Sequence, residues 1–504
     1  MLRHGHAALA LAVLIASTTS LVPGQTAVSA EGSDQPNWVV VMTDDQDVRT
    51  LDSMPIVRRE LADQGITFTR AFATFPYCCP SRATFLTGQY PHNHEVWGNK
   101  SPAGFDGFRD AETLPVWLER AGYRNAYVGK YLNGYGLKDP TYIPPGWWAW
   151  NALTDPTTYW MYGSRFNDAG VLRTYGTPAV EDPRNYQTDV ITRKATTQLR
   201  RLLKRKAPFL LVVMYVAPHA ESVWDGWSPR RDPRPAARHE GVLAGKPITR
   251  PLAYNEADVT DKPASIQARW RFGRDSRDIH ASRERNRRES LLAVDEGVGA
   301  IIDTLRESGR LDSTNIAFTS DNGFLLGQHR IPWGKFLPYE PSARVPLILR
   351  GPAFPRGVRT DELVANQDLT ATILETTGVE PGLVQDGRSL LPFAADPDLR
   401  STRPILLEST NATDEVMDFA LEGDSLGLWT PYVALRTSRF KYVQYSGGDR
   451  ELYDLLLDPG EKQSRHDDPS YQATMLWLAS TVASMRSCSG WSCNMVVGEP
   501  PAPG

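Results

Sequence analysis

The stretch Asn37-Trp-Val-Val-Val-Met-Thr-Asp-Asp45 is a short apolar, largely β-branched run that ends in two carboxylates. An apolar run without polar alternation is typical of a strand buried on both faces of a sheet. The same design recurs at Asn315-Ile-Ala-Phe-Thr-Ser-Asp-Asn-Gly323. Further buried strands are predicted over Phe209–Val216 and Val345–Leu349, so the chain is expected to fold around a buried sheet.

A helix is predicted between two of these strands, over Arg283–Ser308. Its apolar residues follow helical spacing: Leu291, Leu292, Val294, Val298, Ile301, Ile302 and Leu305. Strands that alternate with helices predict an α/β fold, with ligands at the carboxyl ends of the strands. Three of the strands lead into Asp44-Asp45, Asp321-Asn322 or His219, and we therefore expect an active site there.

The length and composition exclude several classes of protein. A chain of 504 residues predicts one large domain and a smaller one. With 41% hydrophobic and 23% charged residues, the composition is that of a soluble globular protein. A net charge of -4 argues against a nucleic-acid-binding protein. An anionic substrate would need a local positive pocket, because the overall charge repels it.

The N-terminal residues are typical of an export signal. A short apolar stretch followed by Val28-Ser29-Ala30 predicts a secretory signal peptide over residues 1–30. A membrane anchor needs about 20 apolar residues, and neither this run nor any later one is long enough. We therefore expect a secreted, extracellular protein without a membrane span.

In Cys78-Cys-Pro-Ser-Arg-Ala-Thr-Phe-Leu-Thr-Gly88, the run Ser81–Leu86 is predicted to start a helix, with Pro80 just before it and Gly88 as its stop. This places Cys78 at a helix N-terminus beside Arg82, in a field that favours anions. A reduced thiol, a disulfide or a thiolate zinc site are the alternatives for Cys78. Zinc is the weakest of them, because nothing else in this stretch has zinc-ligand spacing.

The chain contains four cysteines. Cys488 and Cys493 are close enough in sequence to form a disulfide that constrains the C-terminal tail. An exported protein can form such a disulfide, because it folds in an oxidising environment. Cys79 would then be a buried free thiol if Cys78 is modified.

The motif Cys78-X-Pro-Ser-Arg followed by Leu-Thr-Gly88 resembles the signature of the type I sulfatases. The resemblance implies that a formylglycine-generating enzyme oxidises Cys78 to formylglycine (3-oxoalanine), whose hydrate supplies the nucleophilic oxygen. It runs from about Asn37 to the end of the chain. It implies an alkaline-phosphatase-like sandwich, in which helices flank a large mixed sheet over residues 37–400.

From about Pro404 the sequence pattern changes. Tyr432–Tyr445 alternates like an exposed strand, Gly447-Gly448-Asp449 predicts a hairpin turn, and a helix is predicted near residues 470–485. This resembles the small C-terminal subdomain of sulfatases, with an antiparallel sheet and a helix, which we place at residues 401–494.

Asp44, Asp45, Asp321 and Asn322 are the predicted metal ligands. Three converging carboxylates repel one another, and their pKa values rise unless a cation lies among them. Oxygen ligands select a hard ion, Ca²⁺ or Mg²⁺, over zinc. The resemblance implies that these four residues bind calcium or magnesium together with a formylglycine at Cys78.

The resemblance also implies roles for four further residues. Arg82 would support the formylglycine hydrate, Lys130 and Lys335 would contact the sulfate, and His219 would protonate the leaving oxygen. Taken singly, each lysine is more often a solvated surface charge and a lone histidine is more often structural. Only their place in matching motifs supports the catalytic interpretation.

The chain departs from many sulfatases at Leu132, where those proteins have a histidine. We expect Asn133 or His94 to replace it. Pro91-His-Asn-His94 and the Leu132 departure resemble N-acetylglucosamine-6-sulfatases and extracellular heparan 6-O-endosulfatases, which implies a 6-O-sulfated glucosamine substrate. His329 could line the pocket or lie in a surface loop.

Two long segments and one basic stretch each have two possible interpretations. Residues 139–187 are rich in Pro, Gly, Trp and Tyr, and residues 226–251 in Pro and Arg. Aromatic loops of this kind suit sugar stacking or simply pack together. Arg269–Arg288 contains eight arginines and three acids. This stretch is either the solvated start of a helix or a basic rim that attracts a polyanionic glycan.

The sequence therefore predicts a metal-dependent sulfatase that acts on a sulfated saccharide. An arylsulfatase, or a phosphonate or phosphodiester hydrolase of the same fold, is the nearest alternative. A secreted protein that binds sulfated glycans through an unmodified Cys78, without hydrolysis, is the alternative from another class.

Overall fold

The computed structural model describes residues 35–224, 229–230, 232–409 and 430–504, so the predicted signal peptide lies outside the described residues. The strands, in chain order, are β1 (Asn37–Thr43), β2 (Ile66–Phe72), β3 (Arg124–Gly129), β4 (Ala149–Leu153), β5 (Ser164–Asp168), β6 (Val171–Tyr175), β7 (Phe209–Met214), β8 (Val223–Trp224), β9 (Pro229–Arg230), β10 (Thr314–Ser320), β11 (Arg344–Arg350), β12 (Val358–Ala365), β13 (Ile405–Glu408), β14 (Tyr432–Arg436), β15 (Phe440–Tyr445) and β16 (Arg450–Asp454).

The α-helices differ widely in length, from one turn to 34 residues. In chain order they are α1 (Pro55–Val57), α2 (Cys78–Thr87), α3 (Pro91–His94), α4 (Leu114–Arg120), α5 (Gln187–Leu203), α6 (Ala264–Gln267), α7 (Arg274–Glu307), α8 (Glu340–Ala343), α9 (Asn366–Thr377), α10 (Leu391–Ala395) and α11 (Gln472–Met485).

Among the described residues, ten strands form one large sheet in the order β12-β2-β11-β10-β1-β7-β3-β4-β5-β6. The central neighbours β10, β1, β7, β3 and β4 pair in parallel. β11 is antiparallel to both of its neighbours, and β5 is antiparallel to β4 and β6. The prediction of a large mixed sheet is therefore confirmed.

Strand β1 lies in the middle of this sheet and is buried along its whole length. Because successive side chains point to opposite faces, Val40 and Met42 belong to the apolar core that includes residues of α2 and α9, while Val39 and Val41 belong to the core that includes residues of α5 and α7. The uninterrupted apolar run therefore reflects a strand that is covered by helices on both sides.

Helix α7 begins nine residues earlier than predicted, at Arg274 instead of Arg283. Its first turns are polar and largely exposed, so they carry none of the apolar spacing from which the prediction was made.

The C-terminal part forms a four-stranded antiparallel sheet, β13-β14-β15-β16, on which α11 packs. The predicted single exposed strand Tyr432–Tyr445 is wrong, because a turn at Thr437 divides it into β14 and β15, which are largely buried. The predicted Cys488–Cys493 disulfide is present, and Cys79 is a buried free thiol. The boundary near residue 400 between two domains stays a prediction.

None of the helices in the described ranges combines the length and the apolar character that crossing a bilayer requires.

A buried ion pair joins α9 to the segment that leads into the small sheet. The guanidinium of Arg403 contacts the carboxylate of Asp368, and both side chains are fully buried. Arg403 also donates to Asn494 over 2.8 Å, and Asp368 accepts from the backbone N–H of Ala365 over 2.8 Å. This pair ties the C-terminal region to the large sheet.

We expect Arg403→Met to lower the free energy of unfolding by about 3–5 kcal/mol, because it leaves the Asp368 carboxylate buried without its cation. Arg400→Met is the matched control, since Arg400 pairs with Asp361 in solvent and such pairs contribute less than about 1 kcal/mol. Urea unfolding followed by circular dichroism measures both. Equal effects of the two substitutions would contradict this account.

Candidate active site

The carboxyl ends of β1 and β10 bring three predicted ligand carboxylates together. The two strands are parallel neighbours, and their register pairs Thr43 with Ser320. Asp44 and Asp45 follow β1, while Asp321 and Asn322 follow β10. The backbone N–H of Asp45 lies 3.3 Å from Asp321 Oδ1, so the two strand ends are in direct contact.

The next two parallel strands add a lysine and a histidine to the same edge. Lys130 follows β3 directly, and His219 follows β7 after a short loop. Gly129 makes this possible, since its φ is 109° and a Cβ there would lie 1.9 Å from the carbonyl oxygen of Met214. Only glycine allows β3 to approach β7 this closely before the chain turns to Lys130.

Cys78 is the first residue of α2, so the helix begins three residues before the predicted start at Ser81, and all of α2 is buried. Its Sγ lies 3.6 Å from Asp44 Oδ1 and 2.9 Å from Lys335 Nζ. Lys335 returns to the site because Leu325 and Gly334 exchange two backbone hydrogen bonds and close the loop after β10. The structure therefore places the cysteine among the carboxylates and the two lysines.

Each carboxylate of the cluster has a cation of its own. Lys130 Nζ lies 2.5 Å from Asp44 and Lys335 Nζ lies 2.6 Å from Asp45. In the same way, Arg82 Nε donates to Asp321 over 2.9 Å. All six side chains are buried, which makes the ion pairs strong and leaves little room for solvent screening.

The pKa values reflect this balance of charge. Burial alone would raise the pKa of Asp44, but Lys130, His219, Lys335 and Arg82 together hold it well below its usual range. Burial and the charge of Asp44 raise the pKa of Asp321.

The Cys78 thiol is also affected, because burial and the nearby Asp44 carboxylate raise its pKa well above the ordinary value. An unmodified Cys78 is therefore a neutral thiol and a weak nucleophile.

The cluster suits a hard divalent cation. Ligand atoms of Asp44, Cys78 and Asp321 lie within 4.8 Å of one another. Asn322 Nδ2 donates to Asp45 over 2.6 Å, while Asn322 Oδ1 is buried and, within the described part of the chain, accepts no hydrogen bond. A buried acceptor without a donor, next to three carboxylates, fits a cation with oxygen ligands such as Ca²⁺ or Mg²⁺.

His219 is held in a defined orientation. Its Nδ1 lies 2.8 Å from the carbonyl oxygen of Ala220, which can only accept, so Nδ1 carries a proton. Its Nε2 lies 3.7 Å from Asp45 Oδ2 and faces the cluster. The ring stacks on Tyr159 with 4.4 Å between the ring centroids.

Two residues of this neighbourhood were missed by the sequence reasoning. The Tyr159 hydroxyl lies 2.8 Å from Lys130 Nζ and 2.6 Å from Asn133 Nδ2. Arg287 of α7 donates to the carbonyl oxygen of Asp45 over 2.7 Å. The aromatic richness of residues 139–187 was the only signal for Tyr159, and nothing local distinguishes Arg287 from its neighbouring arginines.

The residues around the Leu132 departure now have defined contacts. Leu132 is buried in the apolar core, and His94 lies 3.0 Å from the Thr84 hydroxyl of α2. Burial lowers the pKa of His94 to about 3, so this histidine is a neutral packing residue. Of the two predicted replacements, Asn133 is the one connected to Lys130, through Tyr159.

His329 is buried, so a position in a surface loop is wrong. Its Nδ1 lies 2.7 Å from Glu256 Oε2, and its ring stacks on Tyr339.

Residues 36–379 match the sulfatase family, and residues 327–487 match the C-terminal region of N-sulphoglucosamine sulphohydrolase. Human N-acetylglucosamine-6-sulfatase is 30% identical over 501 residues, which cover 92% of this chain and 87% of that protein. An extracellular sulfatase Sulf-1 homologue of Caenorhabditis elegans is 36% identical over 372 residues, which cover 72% of this chain. This chain spans about half of that relative, with 49% of its length matched.

The fold has a close counterpart among solved structures. A protein whose structure was solved in complex with its substrate D-glucosamine-2-N,6-O-disulfate superposes with a TM-score of 0.70 at 23% identity. The match covers 91% of this chain and 98% of that one, and it confirms the predicted alkaline-phosphatase-like fold. Since a family match covers most of the chain, and a relative at 30% identity covers nearly all of it, this protein belongs to the sulfatase family of sulfuric ester hydrolases.

Proposed function

We propose that the protein hydrolyses a sulfate ester of a saccharide at Cys78. The observation that carries this proposal is the position of the Cys78 side chain, within hydrogen-bonding distance of Lys335 and next to the carboxylate of Asp44. Two lysines, an arginine and a set of oxygen ligands converge there on one buried point.

Two groups that this structure does not contain belong to the proposal. Oxidation of Cys78 to formylglycine would supply an oxygen nucleophile in place of a neutral thiol. A Ca²⁺ or Mg²⁺ ion held by Asp44, Asp45, Asp321 and Asn322 would neutralise their charge and polarise a sulfate oxygen. The buried Asn322 Oδ1, with no donor among the described residues, supports the ion.

The protein's own side chains divide the remaining work. Lys130 and Lys335 bind and orient the sulfate oxygens, whose charge must be balanced in a buried site. Arg82 holds Asp321 and so fixes the strand end of β10. His219 Nε2 gives a proton to the leaving oxygen, while the bond from Nδ1 to the Ala220 carbonyl keeps the ring in place.

Tyr159 acts in this scheme as a positioning residue. Its hydroxyl accepts from Lys130 and Asn133, and its ring supports the ring of His219. One side chain thereby fixes two catalytic residues that come from different strands. The same hydroxyl connects Lys130 to Asn133, one of the two predicted replacements for the histidine that many sulfatases carry at the position of Leu132.

The proposed substrate class is a 6-O-sulfated glucosamine or a glycosaminoglycan that contains it. Support comes from the relatives: one is an N-acetylglucosamine-6-sulfatase, and one structural neighbour binds a 6-O-sulfated glucosamine. Secretion is proposed as well, since another relative is an extracellular sulfatase.

We expect Cys78→Ala to abolish turnover of 4-nitrophenyl sulfate, by at least about 10³-fold, because the nucleophile is lost. Cys79→Ala is the matched control, since Cys79 is equally buried but contacts the backbone of Asn133. It should keep most of the activity. Mass spectrometry of the tryptic peptide 71–82 should show an aldehyde at residue 78, with one oxygen in place of the sulfur and two hydrogens fewer than in the cysteine peptide.

An unmodified thiol at residue 78 in an active enzyme would contradict the formylglycine assignment. Equal loss of activity in both cysteine variants would show that the nucleophile has been misassigned. An intact thiol without any turnover would favour the glycan-binding alternative.

The preference for sulfate over phosphate diesters can be measured directly. We expect the protein to turn over 4-nitrophenyl sulfate with a higher kcat/KM than bis(4-nitrophenyl) phosphate, because the proposed site is built for a terminal sulfate. Both activities should disappear in Cys78→Ala if they share the site. A diester turned over far faster would make the phosphodiesterase alternative the correct one.

We expect Tyr159→Phe to lower kcat about 10- to 100-fold with a small change in KM, because Lys130 and Asn133 lose the hydroxyl that aligns them, while the ring stacked on His219 is kept. The pH profile of kcat should change as well, because Lys130 loses a hydrogen-bond acceptor. Tyr135→Phe is the matched control: Tyr135 is also buried, and its hydroxyl accepts from Trp150 and Asn167. Comparable kcat losses in the two variants would show that Tyr159 acts only in packing.

A further inference from the structure

A basic cleft of about 660 Å³ lies at the start of helix α7 and is separate from the Cys78 site. Its lining residues are Arg250, Tyr254, Arg274, Arg277 and Asp278. Three cations face one carboxylate, on a chain whose net charge is -4. The cleft is therefore a local positive region on a protein that repels anions overall.

The arginines of this cleft differ in their pairing from those of the other basic cleft among the described residues. Arg274 and Arg277 are exposed and form no ion pair with any residue in the described ranges. A second basic cleft is different, since each of its arginines pairs with an acid. Those pairs are Arg59–Glu60, Arg306–Glu60, Arg350–Glu60 and Arg356–Asp312.

Fold stability does not explain why arginines occur at this place. Arg274 and Arg277 lie in the first turns of a 34-residue helix. The positive end of the helix dipole disfavours cations there and favours anions. Two unpaired arginines at this end therefore lower the stability of the helix. The arginines and the positive end of the helix dipole together attract an anion.

The cleft is also held in shape before any ligand binds. Arg250 donates to the carbonyl oxygen of Arg277 over 3.0 Å, and its guanidinium lies 4.5 Å from the ring centroid of Tyr254. The Tyr254 hydroxyl lies 2.9 Å from His280 Nδ1. A fixed guanidinium next to a fixed aromatic ring is suited to a sulfate or carboxylate carried on a sugar ring.

Helix α7 connects this cleft to the candidate active site. Arg287, ten residues after Arg277, donates to the carbonyl oxygen of Asp45 over 2.7 Å. Ten residues of α-helix span about 15 Å. The cleft and the contact to Asp45 therefore lie on the same helix, about 15 Å apart along its axis.

We propose that this cleft, which we call the α7 anion cleft, binds a second sulfate or carboxylate of the saccharide whose sulfate ester lies at Cys78. The proposal rests on the proposed function and narrows the substrate to an oligosaccharide with several negative charges. Arg250, Arg274 and Arg277 bind the distal anion, and Tyr254 supports the sugar that carries it.

The test uses Arg274→Ala/Arg277→Ala in the full chain, with a heparin-derived hexasaccharide as the probe. We expect the hexasaccharide Kd, from isothermal titration calorimetry, to rise at least about tenfold. The kcat/KM for 4-nitrophenyl sulfate should stay within about twofold, because this small substrate does not reach the cleft. The melting temperature should not fall, because the lost charges oppose the helix dipole.

The matched control is Arg306→Ala/Arg356→Ala, which removes two charges from the second basic cleft and should leave the hexasaccharide Kd within about twofold. An unchanged Kd in the α7 variant, or an equal rise in both variants, overturns the proposal. A hexasaccharide that binds through the cleft but keeps all its sulfates overturns the proposed saccharide substrate and leaves the cleft as a binding site.

Discussion

The buried negative charge at the ends of β1 and β10 is the constraint on which the rest of the site depends. Asp44, Asp45 and Asp321 lie together because the two strands are adjacent, parallel and in register. Carboxylates this close repel one another, and burying them without partners would be very costly. The chain therefore surrounds them with two lysines and an arginine. The same cations are the groups that a sulfate ester needs, so one charge balance serves the fold and the proposed chemistry.

The sequence predicted the fold where the physics is local. Unbroken apolar runs identified β1 and β7 to within two residues, because strands covered on both faces have no polar alternation. The beginning of α7 could not be seen, since its first turns are exposed and no apolar stripe marks them. The segment Tyr432–Tyr445 was predicted as one exposed strand because its alternation suggested a free face. That face is covered by α11, whose contact is not visible in the local pattern.

Part of the candidate site could likewise be predicted from the sequence, and part of it could not. Acids that directly follow buried strands could be expected to meet, because parallel strands end at the same edge of a sheet. The family motif supplied the interpretation of Cys78 and the lysines. Tyr159 and Arg287 could not be predicted, since they reach their partners only through tertiary contacts. Tyr159 bonds to a residue 29 positions away and Arg287 to one 242 positions away. The α7 anion cleft was anticipated only as a count of arginines, because pairing with acids decides which charges remain available.

The most direct test of the account is the metal content of the purified protein, measured by inductively coupled plasma mass spectrometry. The account predicts about one Ca²⁺ or Mg²⁺ per chain after dialysis, and a large loss of that ion in Asp321→Asn. The exposed Asp361→Asn should keep the ion and serves as the control. A protein that retains no divalent ion even after incubation with calcium and magnesium, or an ion content unchanged by Asp321→Asn, would contradict the central claim that these strand ends form a metal centre.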